Sequence, residues 1–164
     1  MGAGKSTVGR LAAASLGMPF RDSDALVVAQ EACSITELFA RHGEGYFRDV
    51  EERLILDVLQ GSCAVLATGG GAVLRDAVRQ VLHEQSCCVY LQVDVCEQKR
   101  RLEGGQDRPL AGDVIHLQRL QDSREPHYRA AAHATVATSG RSAHEVAAEV
   151  VRHYRTHGLL LEAP

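Results

Sequence analysis

The chain has 164 residues, with 18 basic against 21 acidic side chains and a net charge of −3. That length supports one domain with its own core, because a chain of this size buries roughly 70% of its unfolded surface. The slightly acidic balance argues against nucleic-acid or anionic-membrane binding, no apolar run is long enough to span a bilayer, and the glycine-rich, basic start is not read as a signal peptide.

The chain opens with "MGAGKST". Gly4-Lys5-Ser6 is the second half of the phosphate-loop pattern G-x-x-x-x-G-K-[ST]. In that pattern backbone N–H groups and a helix N-terminus receive phosphate oxygens, a lysine reaches the β- and γ-phosphates, and a hydroxyl binds Mg²⁺. Lys5 and Ser6 fill the last two roles, and Thr7 is read as a helix cap or an α-phosphate contact. Val8, Leu11, Ala12 and Leu16 then keep helical spacing. The strand that should launch such a loop would lie ahead of Met1. The expectation is therefore a native polypeptide longer by roughly one strand of five or six residues plus the first turn of the loop, which intact-mass analysis would check.

A strand at 19–21 follows, and it leads into "DSD". On an extended backbone Asp22 and Asp24 point the same way. One suits a metal site and the other a hydroxyl acceptor, although Asp-Ser-Asp is also a good helix cap. Ser34 and Glu37 have capping-box spacing and start another helix. Phe47, Val50, Leu54 and Val58 mark an apolar helical face, beside which Glu51 sits one turn after Arg48. A guanidinium braced in this way can clamp a carboxylate in bidentate fashion; the same pair also fits an ordinary surface ion pair.

A buried strand at 64–67 ends in Gly69, Gly70 and Gly71, where backbone N–H groups can approach a ligand closely. A further strand at 88–93 and one at 135–137 precede the last helical face, Ala143 to Tyr154. The segment 103–114, rich in glycine, is read as a lid. Alternation of strands and helices predicts parallel pairing with right-handed crossovers, hence an α/β fold. Cys33, Cys63, Cys87, Cys88 and Cys96 are odd in number and lack a CxxC pair, so they are read as thiols in a reducing cytoplasm. No histidine spacing points to a metal.

Taken together, "MGAGKST", "DSD", "FRDVE", "TGGGAVL", "DRPL" and "REPHY" resemble the shikimate kinases, in that order and at about the family's spacings, over essentially the whole chain. The resemblance implies a P-loop kinase three-layer sandwich, its parallel sheet flanked by helices and here lacking its first strand. It also implies one domain over 1–164, with an acceptor-binding helical insert at 23–60 and the lid at 103–114. The implied activity is ATP-dependent phosphorylation of the 3-hydroxyl of shikimate, in aromatic amino acid (chorismate) biosynthesis, with Mg²⁺ as cofactor. The implied enzyme is cytoplasmic and monomeric, with small-molecule partners and neither nucleic acid nor membrane.

Residue by residue, the resemblance implies that Gly2, Ala3, Gly4, Lys5, Ser6, Thr7, Arg108 and Arg141 contact ATP, with Arg101 near the adenine side. It places Ser6 and Asp22 at the metal. Asp24, Arg48, Gly70, Gly71 and Arg124 would hold shikimate, with Glu51 orienting Arg48, and Lys5, Asp24 and Arg108 would be catalytic. The sequence departs from the family at the short lid and at Ala137, where an aspartate is usual. Two other readings are a different small-molecule P-loop kinase, such as one for gluconate or a nucleoside monophosphate, and a non-catalytic P-loop binding protein.

Overall fold

Glycines bracket the first helix. α1 (Lys5–Leu16) begins after Gly4 and stops at Gly17, both in the left-handed region at φ 85° and 66°, a conformation that costs any residue with a Cβ. The structure is a computed structural model, and it describes residues 2–103 and 114–161.

Four short strands follow the runs read from the sequence: β1 (Phe20–Asp22), β2 (Val65–Ala67), β3 (Val89–Gln92) and β4 (Ala134–Ala137). Strand β1 ends one residue later than expected, because Asp22 becomes the N-cap of α2 (Ser23–Glu31). α2 and α3 (Ile35–Gln60) connect β1 to β2, while a 3₁₀ turn (Ala72–Leu74) and α4 (Asp76–Gln85) connect β2 to β3. α5 (Val95–Glu103) and α6 (Val114–Ala131) lie between β3 and β4, and α7 (Ala143–Leu161) follows.

The Ser34–Glu37 capping box forms as the spacing predicts, with Glu37 N–H donating to Ser34 Oγ at 3.2 Å and Ser34 N–H to Glu37 Oε2 at 2.9 Å. Helix α3 is interrupted at Gly43, whose φ of 78° is not helical. The portion after this break carries Phe47, Val50, Glu51 and Ile55 on its buried face.

Both pairings are parallel: β1 lies beside β2 with Phe20 opposite Val65, and β3 beside β4 with Val89 opposite Ala134. The period-two alternation of β3 shows how the helical layers cover it. Val89 and Leu91 pack with Val8 of α1 and with Val146 and Ala147 of α7. Cys88 packs toward Ile55, Val78 and Leu82 of α3 and α4, and Tyr90 stacks on Tyr128 of α6 at 5.0 Å. Helices therefore lie on both faces of the strands, as an α/β P-loop fold requires.

Among the described residues no strand joins β2 to β3. An apolar cavity of about 540 Å³ lies between them, walled by Val65 and Leu66 on one side and by Val89 and Leu91 on the other, with Val8 and Ala12 of α1 also lining it. The four strand residues are only half-buried, whereas the interior of a parallel sheet is normally covered on both faces. The sheet is thus split in two, and the facing edges of β2 and β3 have no ladder partner within the described chain. Ala3, itself buried, stands at the same cavity and carries the chain from it into α1.

An extension ahead of Met1 made of five or six apolar, β-branched residues followed by the first turn of the loop is expected to raise the thermal midpoint by on the order of 5 °C or more. Differential scanning calorimetry of the two forms checks this. An unchanged or lower midpoint would show that the cleft does not accept a strand.

Candidate active site

The phosphate end is built by backbone geometry. The first-turn N–H groups of α1 have no acceptor inside the helix and point, with the positive end of its dipole, toward the loop. Gly4 is the N-cap, and no side chain caps the helix; Thr7 is exposed, so its role as a cap is not realised. Arg101 anchors the loop from behind, donating to Gly2 O at 3.2 Å and to Thr138 O at 3.0 Å and Oγ1 at 3.2 Å. A Cβ on Gly2 would approach Gln98 Cγ to 3.1 Å, and its φ is 71°, so glycine is required there on two counts.

Ser6 Oγ donates to Asp22 Oδ2 at 2.6 Å. Asp22 also accepts from Asp24 N–H at 3.1 Å through Oδ1, so it caps α2 while its other oxygen faces the loop. The two aspartates therefore do not lie on one extended strand: Asp22 ends β1, and Asp24 sits in the first turn of α2. Helix capping and proximity to the phosphate loop, two readings that the sequence left open, are both realised by Asp22. A hydroxyl and a carboxylate oxygen side by side form the hard donor set that suits Mg²⁺, which completes its shell with phosphate oxygens and water. Among the described residues no group of three or more His, Cys, Asp and Glu side chains forms a metal cage.

The second cluster turns on α3. Arg48 Nη1 donates to Glu51 Oε2 at 2.5 Å, and its Nε and Nη2 reach Glu44 Oε1 at 3.3 and 3.1 Å. Glu51 is 1% exposed and Arg48 15%, so this is not a surface pair. Burial pushes the Glu51 carboxyl above its ordinary range, helped by the nearby Asp24 charge and opposed by hydrogen bonds from Arg48 and Ser23.

The glycine turn after β2 rests on this pair. A Cβ on Gly69 would lie 2.2 Å from Glu51 Oε1 and 3.1 Å from Asp24 Oδ1, and one on Gly71 would lie 2.2 Å from Arg48 Nη2. Steric exclusion by a buried salt bridge is thus what these two glycines answer. From α6, Tyr128 donates to Gly70 O at 2.6 Å and Arg124 Nη1 lies 3.5 Å from the same oxygen. The N–H groups of Gly70 and Gly71 have no hydrogen-bond partner among the described residues.

Loop, aspartates, Arg48–Glu51, glycine turn and Arg124 are therefore linked contact by contact. Arg141 is engaged elsewhere: it donates to Ala137 O at 3.0 Å and Glu145 O at 3.3 Å, and it pairs with Glu149 at 2.7 Å. Arg108 and most of the lid fall in residues 104–113, outside the described residues. Sequence reasoning missed Ser23, Glu44 and Tyr128. Tyr128 carried a signal, standing one helical turn after Arg124, whereas Ser23 carried none.

The half phosphate loop running into α1, with parallel strands covered by helices, defines an α/β P-loop protein. A family profile described as "Shikimate kinase" matches residues 1–155. The chain is 46% identical over 134 residues to a shikimate kinase of Nitrobacter winogradskyi, covering 80% of this chain and 63% of that protein, less than two thirds of its length. It is 40% identical over 154 residues to one of Pseudomonas fluorescens, covering 92% of this chain and 90% of that one. The structure superposes on a shikimate kinase of Acinetobacter baumannii in complex with shikimate with a TM-score of 0.89 at 34% identity, covering 97% and 90% of the two chains. Another, from Bacteroides thetaiotaomicron, gives 0.84 at 28% identity, covering 98% and 93%. The chain belongs to the shikimate kinase family.

Folding raises the proton affinity of Glu51, so the folded state holds that proton at higher pH than the unfolded chain does. The contribution of this group to stability is full below its ordinary value of 4.5 and is lost as pH rises through the raised folded value. Glu51→Gln, which mimics the protonated form, is expected to show a thermal midpoint at pH 7.5 equal to or above that of the unmodified protein, and to remove this part of its pH dependence. Calorimetry between pH 4 and 8 tests this; a lower midpoint at pH 7.5 would mean that the pair stabilises the fold by more than its burial costs.

Proposed function

We propose that this protein transfers the γ-phosphoryl group of ATP to the 3-hydroxyl of shikimate. The observation that supports it most directly is the Arg48–Glu51 pair, held nearly buried against Gly69 and Gly71 and adjacent to Asp24. A guanidinium oriented by a buried carboxylate offers its fork to a second carboxylate, which suits a small organic acid better than a neutral sugar. Arg124, from α6, supplies a second cation beside Gly70, and the amides of Gly70 and Gly71 supply donors to the ring hydroxyls.

The reaction needs alignment and charge neutralisation more than covalent chemistry. Asp24 orients the acceptor hydroxyl and takes its proton as the oxygen attacks the γ-phosphorus in line. The bond from that phosphorus to the β–γ bridging oxygen breaks, and ADP leaves with the electron pair. Lys5, the α1 N-terminus and the amides of the loop from Gly2 to Thr7 offset the charge on the phosphate oxygens. Ser6 and Asp22 would hold Mg²⁺, directly or through water, and the ion would supply positive charge against the phosphate oxygens. Arg108, from the lid, closes over the transferred group, and closure excludes water. The reading treats 1–164 as one domain, with 23–60 as the acceptor-binding insert and 103–114 as the lid, acting as a cytoplasmic monomer. No described helix is long and apolar enough to cross a membrane.

A coupled ADP-release assay with shikimate, gluconate and a nucleoside monophosphate tests the assignment: turnover is expected with shikimate alone, and turnover only with gluconate would overturn it. Asp24→Asn is expected to lower kcat by about 100-fold or more while leaving the KM for ATP nearly unchanged; a wild-type rate would remove Asp24 from the mechanism. Arg48→Lys is expected to raise the KM for shikimate by at least about tenfold, since an ammonium cannot reproduce the fork. An unchanged KM would exclude Arg48 from the acceptor site.

A further inference from the structure

Ser23 is completely buried, at 0% exposure, and it stands between the two aspartates as the first residue of α2. The mechanism above gives it no part. Its hydroxyl is nevertheless engaged on both sides: Oγ accepts from Gly69 N–H at 2.8 Å and donates to Glu51 Oε1 at 3.3 Å. One atom thus joins the β1–α2 junction, the turn after β2 and the buried face of α3.

We propose that Ser23 is a positioning residue for acceptor recognition, holding the Arg48–Glu51 pair and the 69–71 turn in mutual register without touching the acceptor. The inference rests on the shikimate-binding reading of that site. The two oxygens of Glu51 are divided between partners, Oε2 to Arg48 and Oε1 to Ser23, so the hydroxyl fixes the rotation of the carboxylate and, through it, the direction of the guanidinium. Without it, Gly69 N–H loses its acceptor in a part-buried position, and buried polar groups move or rehydrate to recover a partner. The turn at Gly69 packs so near Glu51 that a Cβ there would lie 2.2 Å from its Oε1. Arg48 and Asp24 are the charged groups facing Glu51, with Glu44 on the far side of Arg48. Losing the Ser23 hydrogen bond also removes one of the contacts that keep Glu51 ionised in its buried position.

Ser23→Ala and the nearly isosteric Ser23→Cys are compared with the unmodified chain in steady-state kinetics from pH 5.5 to 8.5. The expectation is a KM for shikimate raised about tenfold, a kcat within about threefold and an unchanged KM for ATP. The acid limb of kcat/KM for shikimate is expected to move to higher pH. A merely structural role would lower the thermal midpoint of both variants while leaving the shikimate KM and the acid limb where they were, and that result overturns the proposal. Should the unmodified protein fail to phosphorylate shikimate, the functional reading itself falls. The positioning role is then judged by the Arg48 Nε–H resonance in NMR spectra: a shifted or broadened peak in Ser23→Ala supports it, and an unchanged peak refutes it.

Discussion

A charge pair taken out of water organises the acceptor half of this protein. Glu51 is buried on α3 beside Arg48, at a distance that only a committed salt bridge reaches. Placing an ionised carboxylate there costs several kcal/mol of solvation, and a single partner does not return all of it. The raised proton affinity of Glu51 expresses the remainder. Such a site resembles the stored cost found at binding centres rather than a device for stability. What the protein gains is direction, because Arg48 cannot swing freely when its partner is locked from below.

The glycine run follows from that pair. Glycine triplets are often explained by flexibility, but here two of the three are fixed by neighbours: the volume that a Cβ would fill at Gly69 and Gly71 is held by Glu51 and Arg48. The close approach lets the turn run directly over the pair, leaving the amides of Gly70 and Gly71 without a partner among the described residues while Tyr128 holds the Gly70 carbonyl. On the proposed reading, specificity for an acid and donors for its hydroxyls come from one packing arrangement.

Much of this was legible in the sequence. The four strands, the cap at Ser34 and the one-turn contact of Arg48 with Glu51 follow from spacing and residue type, because caps, helical pairs and glycine turns are local devices. What was not legible depends on tertiary contact. Asp22 and Asp24 looked like neighbours on one strand, yet the capping tendency of Asp22 ended β1 and turned Asp24 onto a helix. Ser23 carried no signal in the sequence, since only its burial and its two contacts single out its hydroxyl. The gap between β2 and β3 was anticipated from the half-motif at the start. The structure adds that both edges stay separate, with apolar side chains left half-buried around a cavity of about 540 Å³. α1 bridges the gap by packing on α7 and contacting β2, so the phosphate loop keeps its place relative to both halves.

Charge recognition of the acceptor is the claim on which the functional account stands, and it can be measured without altering the protein. Phosphorylation of shikimate is compared with that of its methyl ester, which keeps every hydroxyl and lacks only the negative charge. The account predicts that kcat/KM falls by about 100-fold or more for the ester, the order expected when a charged, bidentate partner is lost. Equal kcat/KM values for acid and ester would contradict it.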